Sequence, residues 1–344
     1  MATFSDRHIS MQHGAGGQAS RRLVEGLFAA ELSNPNLDAM ADAAVIDTSA
    51  IAAQGRLAFT TDTFVVSPQT FPGGCIGSLA VHGTVNDLAV SGATPIGLTA
   101  AFVLEAGLDT GLLRDQVKAM AAASREVGVS IVAGDTKVVE HGRADQLYIN
   151  TAGIGVVRSD AQLDPARASA GDAIIVSGPI GDHGITIMIA RAEVDIDADL
   201  NSDSRSVLPL TRAVLDAVGD GVRWMRDATR GGVATVLNEL ASDAELGVVI
   251  EESELPVRDP VRGACELLGL DPLHVANEGQ FIAVVDATDA DRALEALHAT
   301  PGGTEARIIG RITADHPGRV VGRTPYGASR IIDVLVGDPL PRIC

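Results

Sequence analysis

The sequence predicts an α/β protein made of two layered domains. Two observations carry that reading: β-type runs alternate with helix-type runs along most of the chain, and 344 residues suffice for about two domains at roughly 100–200 residues each. A third observation divides them. Between residues 158 and 171 the chain is polar, small and without periodicity, as a linker is. The predicted units are residues 1–160, residues 168–335 and an extended tail over 336–344.

Taken in order, residues 56–66 read as a strand and 74–92 as a helix. A strand over 96–105 precedes a helix over 109–127, with Asp109 as its N-cap. Strands over 129–133 and 146–157 complete the first half. In the second half, strands over 173–176, 222–226, 248–251 and 281–286 alternate with helices over 184–191, 233–241, 257–268 and 289–299. In the tail, Pro339 and Pro341 forbid a regular helix and favour extended backbone.

Composition narrows the function. With 26 Lys and Arg against 45 Asp and Glu, the formal charge is −19, and a nucleic-acid partner is excluded because such affinity comes largely from neutralised phosphates. Aromatic residues make up 3%, too few for platforms on which bases stack. The cores must therefore be built from Ala, Val, Leu and Ile. The three cysteines, Cys75, Cys265 and Cys344, are an odd number without metal-type spacing, which points to a reducing, cytoplasmic compartment rather than a disulfide framework. No run approaches 18 consecutive apolar residues, so no membrane span is expected.

Carboxylates in apolar settings mark the candidate chemistry. Asp87 shares a helical stripe with Ile76, Ala80 and Gly83, and an isolated carboxylate there is costly unless a metal or dense hydrogen bonding accompanies it. Asp62 interrupts a Thr- and Phe-rich strand, Asp42 precedes Ala-Ala-Val-Ile46, and Asp227 follows the strand over 222–226. A turn aspartate most often caps a helix, but four in β-type surroundings suit a hard cation with oxygen ligands. His13-Gly-Ala-Gly-Gly-Gln18 and Asp227-Ala-Thr-Arg-Gly-Gly232 each lead into a helix, and exposed amides at helix starts suit phosphate. Together they suggest a magnesium nucleotide. Lys137 in Gly134-Asp-Thr-Lys and Glu278 in Asn277-Glu-Gly stand in predicted turns beside apolar strands, where a lysine could neutralise a phosphoryl group and a carboxylate serve as base. Each is also an ordinary surface charge. Cys344 places a thiol at the end of an extended segment, able to enter an active site as a tethered substrate.

Laid out in order, these motifs resemble the HypE family of hydrogenase maturation proteins, within the aminoimidazole ribonucleotide synthetase and selenophosphate synthetase superfamily. The resemblance runs through His13-Gly-Ala-Gly-Gly17, Thr60-Thr-Asp-Thr-Phe-Val-Val-Ser-Pro68, Phe71-Pro-Gly-Gly74 and Gly83-Thr-Val-Asn-Asp-Leu-Ala89. It continues through Gly134-Asp-Thr-Lys-Val-Val-Glu140, Ser177-Gly-Pro-Ile-Gly-Asp-His-Gly184, Arg226-Asp-Ala-Thr-Arg-Gly-Gly232, Ala276-Asn-Glu-Gly279 and the ending Pro341-Arg-Ile-Cys344. The ending is the most specific of these.

The resemblance implies a two-domain PurM-like fold, with an N-terminal domain that binds ATP and joins a second copy in a barrel. It implies ATP-dependent dehydration of a carbamoyl group on Cys344 to a thiocyanate, which supplies the cyanide ligands of nickel–iron hydrogenase. The carbamoyl group would come from a HypF-type carbamoyltransferase, and the nitrile would pass to HypC- and HypD-type iron scaffolds. By the same resemblance Cys344, Glu278 and Lys137 are catalytic; His13, Gly14, Gly16, Gly17, Asp62 and Asp135 hold nucleotide; and Asp42, Asp87 and Asp227 serve Mg2+. One departure is that Ala41 stands where family members often carry a second acid beside Asp42. The alternatives are another phosphoryl-transfer enzyme of the superfamily, such as selenophosphate synthetase, and a non-catalytic ATP-binding scaffold.

Overall fold

The computed structural model describes residues 4–14, 18–34, 37, 56–191 and 198–335. Asp42, Gly16, Gly17 and Cys344 lie outside them. Near the N-terminus, α1 (Gln18–Leu23) runs through a π-type stretch, Val24–Phe28, into α2 (Ala29–Leu32). This arm is pinned by ring packing of Phe28 on Phe102, 4.7 Å between centroids.

The first half then supplies β1 (Leu57–Phe64), β2 (Thr70–Phe71), β3 (Gly74–Cys75), α3 (Ile76–Val90), β4 (Ala93–Glu105), α4 (Thr110–Val127), β5 (Ile131–Val139) and β6 (Leu147–Val157). Its sheet has the order β1-β6-β4-β5, antiparallel except for the parallel pair β4 and β5. Alternation along β1 points Ala58, Thr60, Asp62 and Phe64 inward. Its other face is exposed, with Leu57 57% and Phe59 70% accessible.

The second half adds β7 (Ala173–Val176), α5 (Asp182–Ala190), α6 (Leu208–Val218), β8 (Val222–Asp227), α7 (Gly232–Ala244), β9 (Gly247–Glu251), α8 (Asp259–Leu268), β10 (Phe281–Val285), α9 (Ala290–His298), β11 (Arg307–Thr313), β12 (Val320–Arg323) and β13 (Ser329–Ile332). Its seven-stranded sheet runs β13-β12-β9-β11-β7-β10-β8. Both sheets are mixed, with helices layered on them, as the alternating pattern predicts.

The helix α3 joins the halves. It is apolar or small on nearly every side, and all its residues but Ser78 and Asp87 are buried, as befits a helix with neighbours all round. It packs on β1, β4 and β6 of one sheet, on β8 of the other, and on α4 and α6. Gly83 permits the approach to β1: a Cβ there would come within 2.8 Å of the Phe64 ring and 3.5 Å of the Asp62 carboxylate. One apolar cluster consequently extends from Phe4 to Ala306, and a second lies under α7.

Three expectations are corrected. Residues 74–75 pair as β3 with β2, so the helix starts at Ile76. The strand expected over 129–133 is β5, Ile131–Val139, and it carries Gly134-Asp-Thr-Lys137 as strand rather than turn. The long β4 offers it partners as far as Glu105 opposite Val139, and ladder pairing outweighs the local turn signal. The sequence reading also lacks α6 and β11 to β13. In α6 the proline looks like a breaker but occupies the first turn, where its missing N–H costs nothing.

Candidate functional site

Four carboxylates converge where α3 meets both sheets. Asp62 comes from β1, Asp87 from the last turn of α3, Asp227 from the end of β8, and Glu278 from the loop before β10. Register pairing of Phe281 with Asp227 sets the Glu278 loop beside β8. Thr60 Oγ1 donates to Asp87 Oδ2 at 2.6 Å. Among the described residues the one ion pair within 4 Å of any of the four is Arg230 to Asp62, at 3.5 Å, from a side chain 74% exposed.

Their electrostatics follow from that imbalance. Burial, then the neighbouring Asp87 charge, pushes Asp227 up to about 7. Burial also raises Asp62, and it raises Asp87, whose Asp62 neighbour adds to the effect. Glu278, 3% exposed, is held well above the usual carboxylate range by burial and then by Asp203, Asp227 and Asp62. Such excess negative charge in hard oxygen donors fits a divalent cation. Among the described residues no three His, Cys, Asp or Glu side chains form a metal-holding group on their own, so oxygen from a bound phosphate or from outside the described residues would have to complete it.

The backbone of the Glu278 loop is clamped from behind. Asp203 accepts from Glu278 N at 3.0 Å and Gly279 N at 3.1 Å, while Arg205 Nε donates to Gly279 O at 3.1 Å. Asn277 accepts from Gly181 N at 2.7 Å and donates to Ala228 O at 2.7 Å. Gly279 is needed for this closeness, because a Cβ would overlap the Asp203 carbonyl oxygen and the Arg205 stem. Glu278 is therefore fixed without use of its own carboxylate.

The remaining described candidates lie elsewhere. Asp135 and Lys137 stand on β5, the opposite edge of the sheet from β1, as an exposed ion pair of 2.9 Å. The Lys137 hydrogen bond, then one from Thr136 N, holds the Asp135 carboxyl below its usual range. Both line the mouth of a cavity of about 260 Å³ whose walls include Phe28, Leu32, Phe102 and Ile131, with His13 beside them. His13 is 4% exposed. Its Nδ1 accepts from Ser10 N at 2.9 Å, so the proton sits on Nε2, 3.0 Å from Asp6. With both ring nitrogens engaged, His13 shapes the turn that leads to Gly14 and the glycine loop.

Comparison with known proteins gives the family of the chain. Models of the AIR synthase related protein match residues 40–157 (N-terminal domain) and 169–323 (C-terminal domain). The chain is 50% identical over 336 residues to the carbamoyl dehydratase HypE of Azotobacter vinelandii, covering 98% of this chain and 97% of that protein. This chain belongs to the HypE family. A crystal structure of the hydrogenase maturation protein HypE in complex with ATP superposes with a TM-score of 0.92 at 43% identity, covering 97% of this chain and 99% of that one. A HypE chain from a HypE–HypF complex gives 0.79 at 44% identity, over 91% and 99%.

Membership makes this an enzyme of the carbamoyl dehydratase group and removes the selenophosphate synthetase alternative. No helix among the described residues is long and apolar enough to cross a membrane. Within this HypE-family chain, the residues that sequence reasoning missed are Asn86, Asp203 and Arg205. Asn86, next to Asp87, donates to Arg205 O at 2.9 Å and accepts from Val207 N at 2.8 Å. The signal for Asn86 was its place in Gly83-Thr-Val-Asn-Asp, whereas Asp203 sits in a polar segment with no apolar flank to single it out.

Proposed function

We propose that this HypE-family chain uses ATP to dehydrate a carbamoyl group on its own Cys344 thiol to a thiocyanate. The observation that supports it most is Glu278, a buried carboxylate with no ion pair among the described residues, on a loop clamped beside three aspartates. Amide oxygen leaves poorly until phosphorylated. The carbamoyl oxygen attacks the γ-phosphorus and ADP departs; Glu278 takes one N–H proton; the C–O bond breaks, the oxygen leaves with phosphate, and loss of the second N–H proton completes the nitrile. The balance is thiocarbamate and ATP to thiocyanate, ADP, phosphate and a proton.

Asp42, Asp87 and Asp227 are the proposed holders of Mg2+, which when bound supplies charge neutralisation for the triphosphate, and Asp62 stands beside Asp87 and Asp227. Gly14, Gly16 and Gly17, which follow His13 in the sequence, are the proposed holders of the phosphates. The cavity bordered by Asp135 and Lys137 offers an apolar slot for a base. HypE relatives crystallised with ATP and with HypF support ATP as substrate and a HypF-type protein as the carbamoyl donor. HypC- and HypD-type proteins are the proposed acceptors of the nitrile.

Within one chain the Lys137 edge and the Asp62 edge are separated by two strands. The exposed Leu57 and Phe59 face supports pairing of two copies, each completing the other's site. Phe59→Asp is expected to convert a dimer into a 35.4 kDa monomer in sedimentation equilibrium and to weaken ATP binding. A dimer that survives this charge overturns the pairing face.

The tail peptide reports the chemistry directly. Incubation with ATP, carbamoyl phosphate and the partner transferase is expected to add about 43 Da at Cys344 and then leave a net gain of about 25 Da, the values for gain of HNCO and for replacement of H by CN. A tail left unchanged by an active transferase overturns the dehydratase reading in favour of a scaffold.

A further inference from the structure

One cation at the acidic site has no part in the reaction above. Arg230 stands in the turn between β8 and α7, and that turn is clamped on both sides of it to the segment that bears Glu278. Before it, Ala228 N donates to Gln280 O at 3.0 Å, and Ala228 O accepts from Asn277 N at 3.1 Å and Asn277 Nδ2 at 2.7 Å. After it, Gly232 takes a left-handed φ of +60° and lies so close that a Cβ would come within 2.5 Å of Leu273 O and 2.6 Å of Val275 O. The backbone of Arg230 is therefore fixed relative to the Glu278 loop.

Its side chain is held far less. The guanidinium is 74% exposed, and among the described residues it makes a single ion pair, Nη2 to Asp62 Oδ1 at 3.5 Å, and no hydrogen bond. An exposed pair of that length is weak. Arg226, the other guanidinium whose charge reaches the group, is engaged by Glu239 at 3.0 Å. The Arg230 charge opposes the rise that burial imposes on Asp62, Asp87 and Glu278, so one loosely held cation serves three of the four carboxylates. A dication held by these carboxylates repels a guanidinium on the same Asp62, so the two exclude each other there. A single dication also does not balance four carboxylates and a triphosphate together, and a further cation is called for when ATP binds. A guanidinium released from Asp62 meets that need, because its planar fork matches phosphate oxygens.

We propose that Arg230 is an exchangeable cation: it holds the place of the divalent ion at Asp62 until that ion binds, and then takes the terminal phosphate of ATP as its partner. The phosphate as destination rests on the proposed use of ATP by a dehydratase; the exchange at Asp62 rests on the geometry of the turn and the pair. Arg230 is on this view a catalytic residue, since it neutralises the phosphoryl group that is transferred. The shared clamps keep its backbone at a fixed spacing from the loop of the base.

Arg230→Gln separates the two contacts, because it moves them in opposite directions. In the full chain without nucleotide, binding of Mn2+, a paramagnetic stand-in for Mg2+, is expected to tighten about two- to fivefold, the worth of an exposed ion pair. Electron paramagnetic resonance of the free ion reads it. Calorimetry in Mg2+ is expected to show ATP bound at least about tenfold more weakly, the worth of a charge-assisted hydrogen bond, with ADP changed less than about twofold. Arg230→Lys keeps the charge but not the fork, so its Mn2+ affinity should match the parent's while its ATP affinity falls between the two. Mn2+ binding that is unchanged or weaker in Arg230→Gln overturns the exchange at Asp62. ATP binding that is unchanged, or lost equally with ADP, overturns the phosphate contact. Neither readout needs turnover. The two expected shifts in a protein whose parent forms no nitrile leave the exchange standing and sink the dehydratase reading; nitrile formation by the parent with neither shift in the variant does the opposite.

Discussion

Glu278→Gln is expected to retain ATP binding and carbamoylation while cutting nitrile formation by about 10²–10⁴-fold, the usual share of a positioned proton acceptor. The tail peptide should stall at a gain of about 43 Da, that of HNCO addition. Misfolding is separable from this loss, because the loop is held by the Glu278 and Gly279 amides on Asp203 rather than by the substituted side chain. The sign of the charge effect helps as well. A carboxyl whose folded-state pKa is raised binds its proton more tightly in the folded chain, so its contribution to stability falls as pH rises from the unfolded value toward the folded one. Near pH 8 the neutral Gln variant should therefore melt no lower than the parent. Nitrile formation at the parental rate would remove Glu278 as the base.

The second large effect concerns pH. Asp227 sits at about 7 because burial and the Asp87 charge disfavour its ionised form. Cation-assisted nucleotide binding needs that form, so affinity for ATP with Mg2+ is expected to rise up to tenfold per pH unit between about pH 6 and 7, then level off. Asp62, Asp87 and Glu278 face the same space and are raised too, with Arg226 and Arg230 opposing, so the midpoint belongs to the group. Calorimetry in two buffers of different ionisation enthalpy should count at least part of a proton released on binding near pH 6.5. Asp227→Asn is expected to flatten the slope and weaken binding by about tenfold or more at pH 8. A flat profile in the parent removes Asp227 from the cation site.

Much of this site was legible in the sequence because its carboxylates interrupt apolar patterns. Asp62 on an alternating strand and Asp87 on a helical stripe are placed by periodicities of two and 3.6, and both point inward as that arithmetic requires. Lys137 reads locally as a turn residue, since Gly-Asp-Thr-Lys is a local signal and the pairing of β5 with β4 is not. Asp203 was invisible for a related reason. Its role comes from contact with amides 75 and 76 positions away, and no single-sequence periodicity encodes a separation of that kind. The strands β11 and β12 likewise take their place from partners elsewhere in the sheet, and β13 adds to β12 as a hairpin.

The shared helix α3 has a mechanical consequence. It is buried against both sheets and hands Asp87 to a group whose other members come from each of them. Asn86, one residue earlier, is stitched to the segment that carries Arg205 and Val207. The acidic cleft is thus mounted on a single beam and cannot open by swinging one sheet away from the other without tearing that beam from its bed. Access for a reacting group has to come from outside the beam, which makes the cleft a fixed anvil to which its substrate is brought.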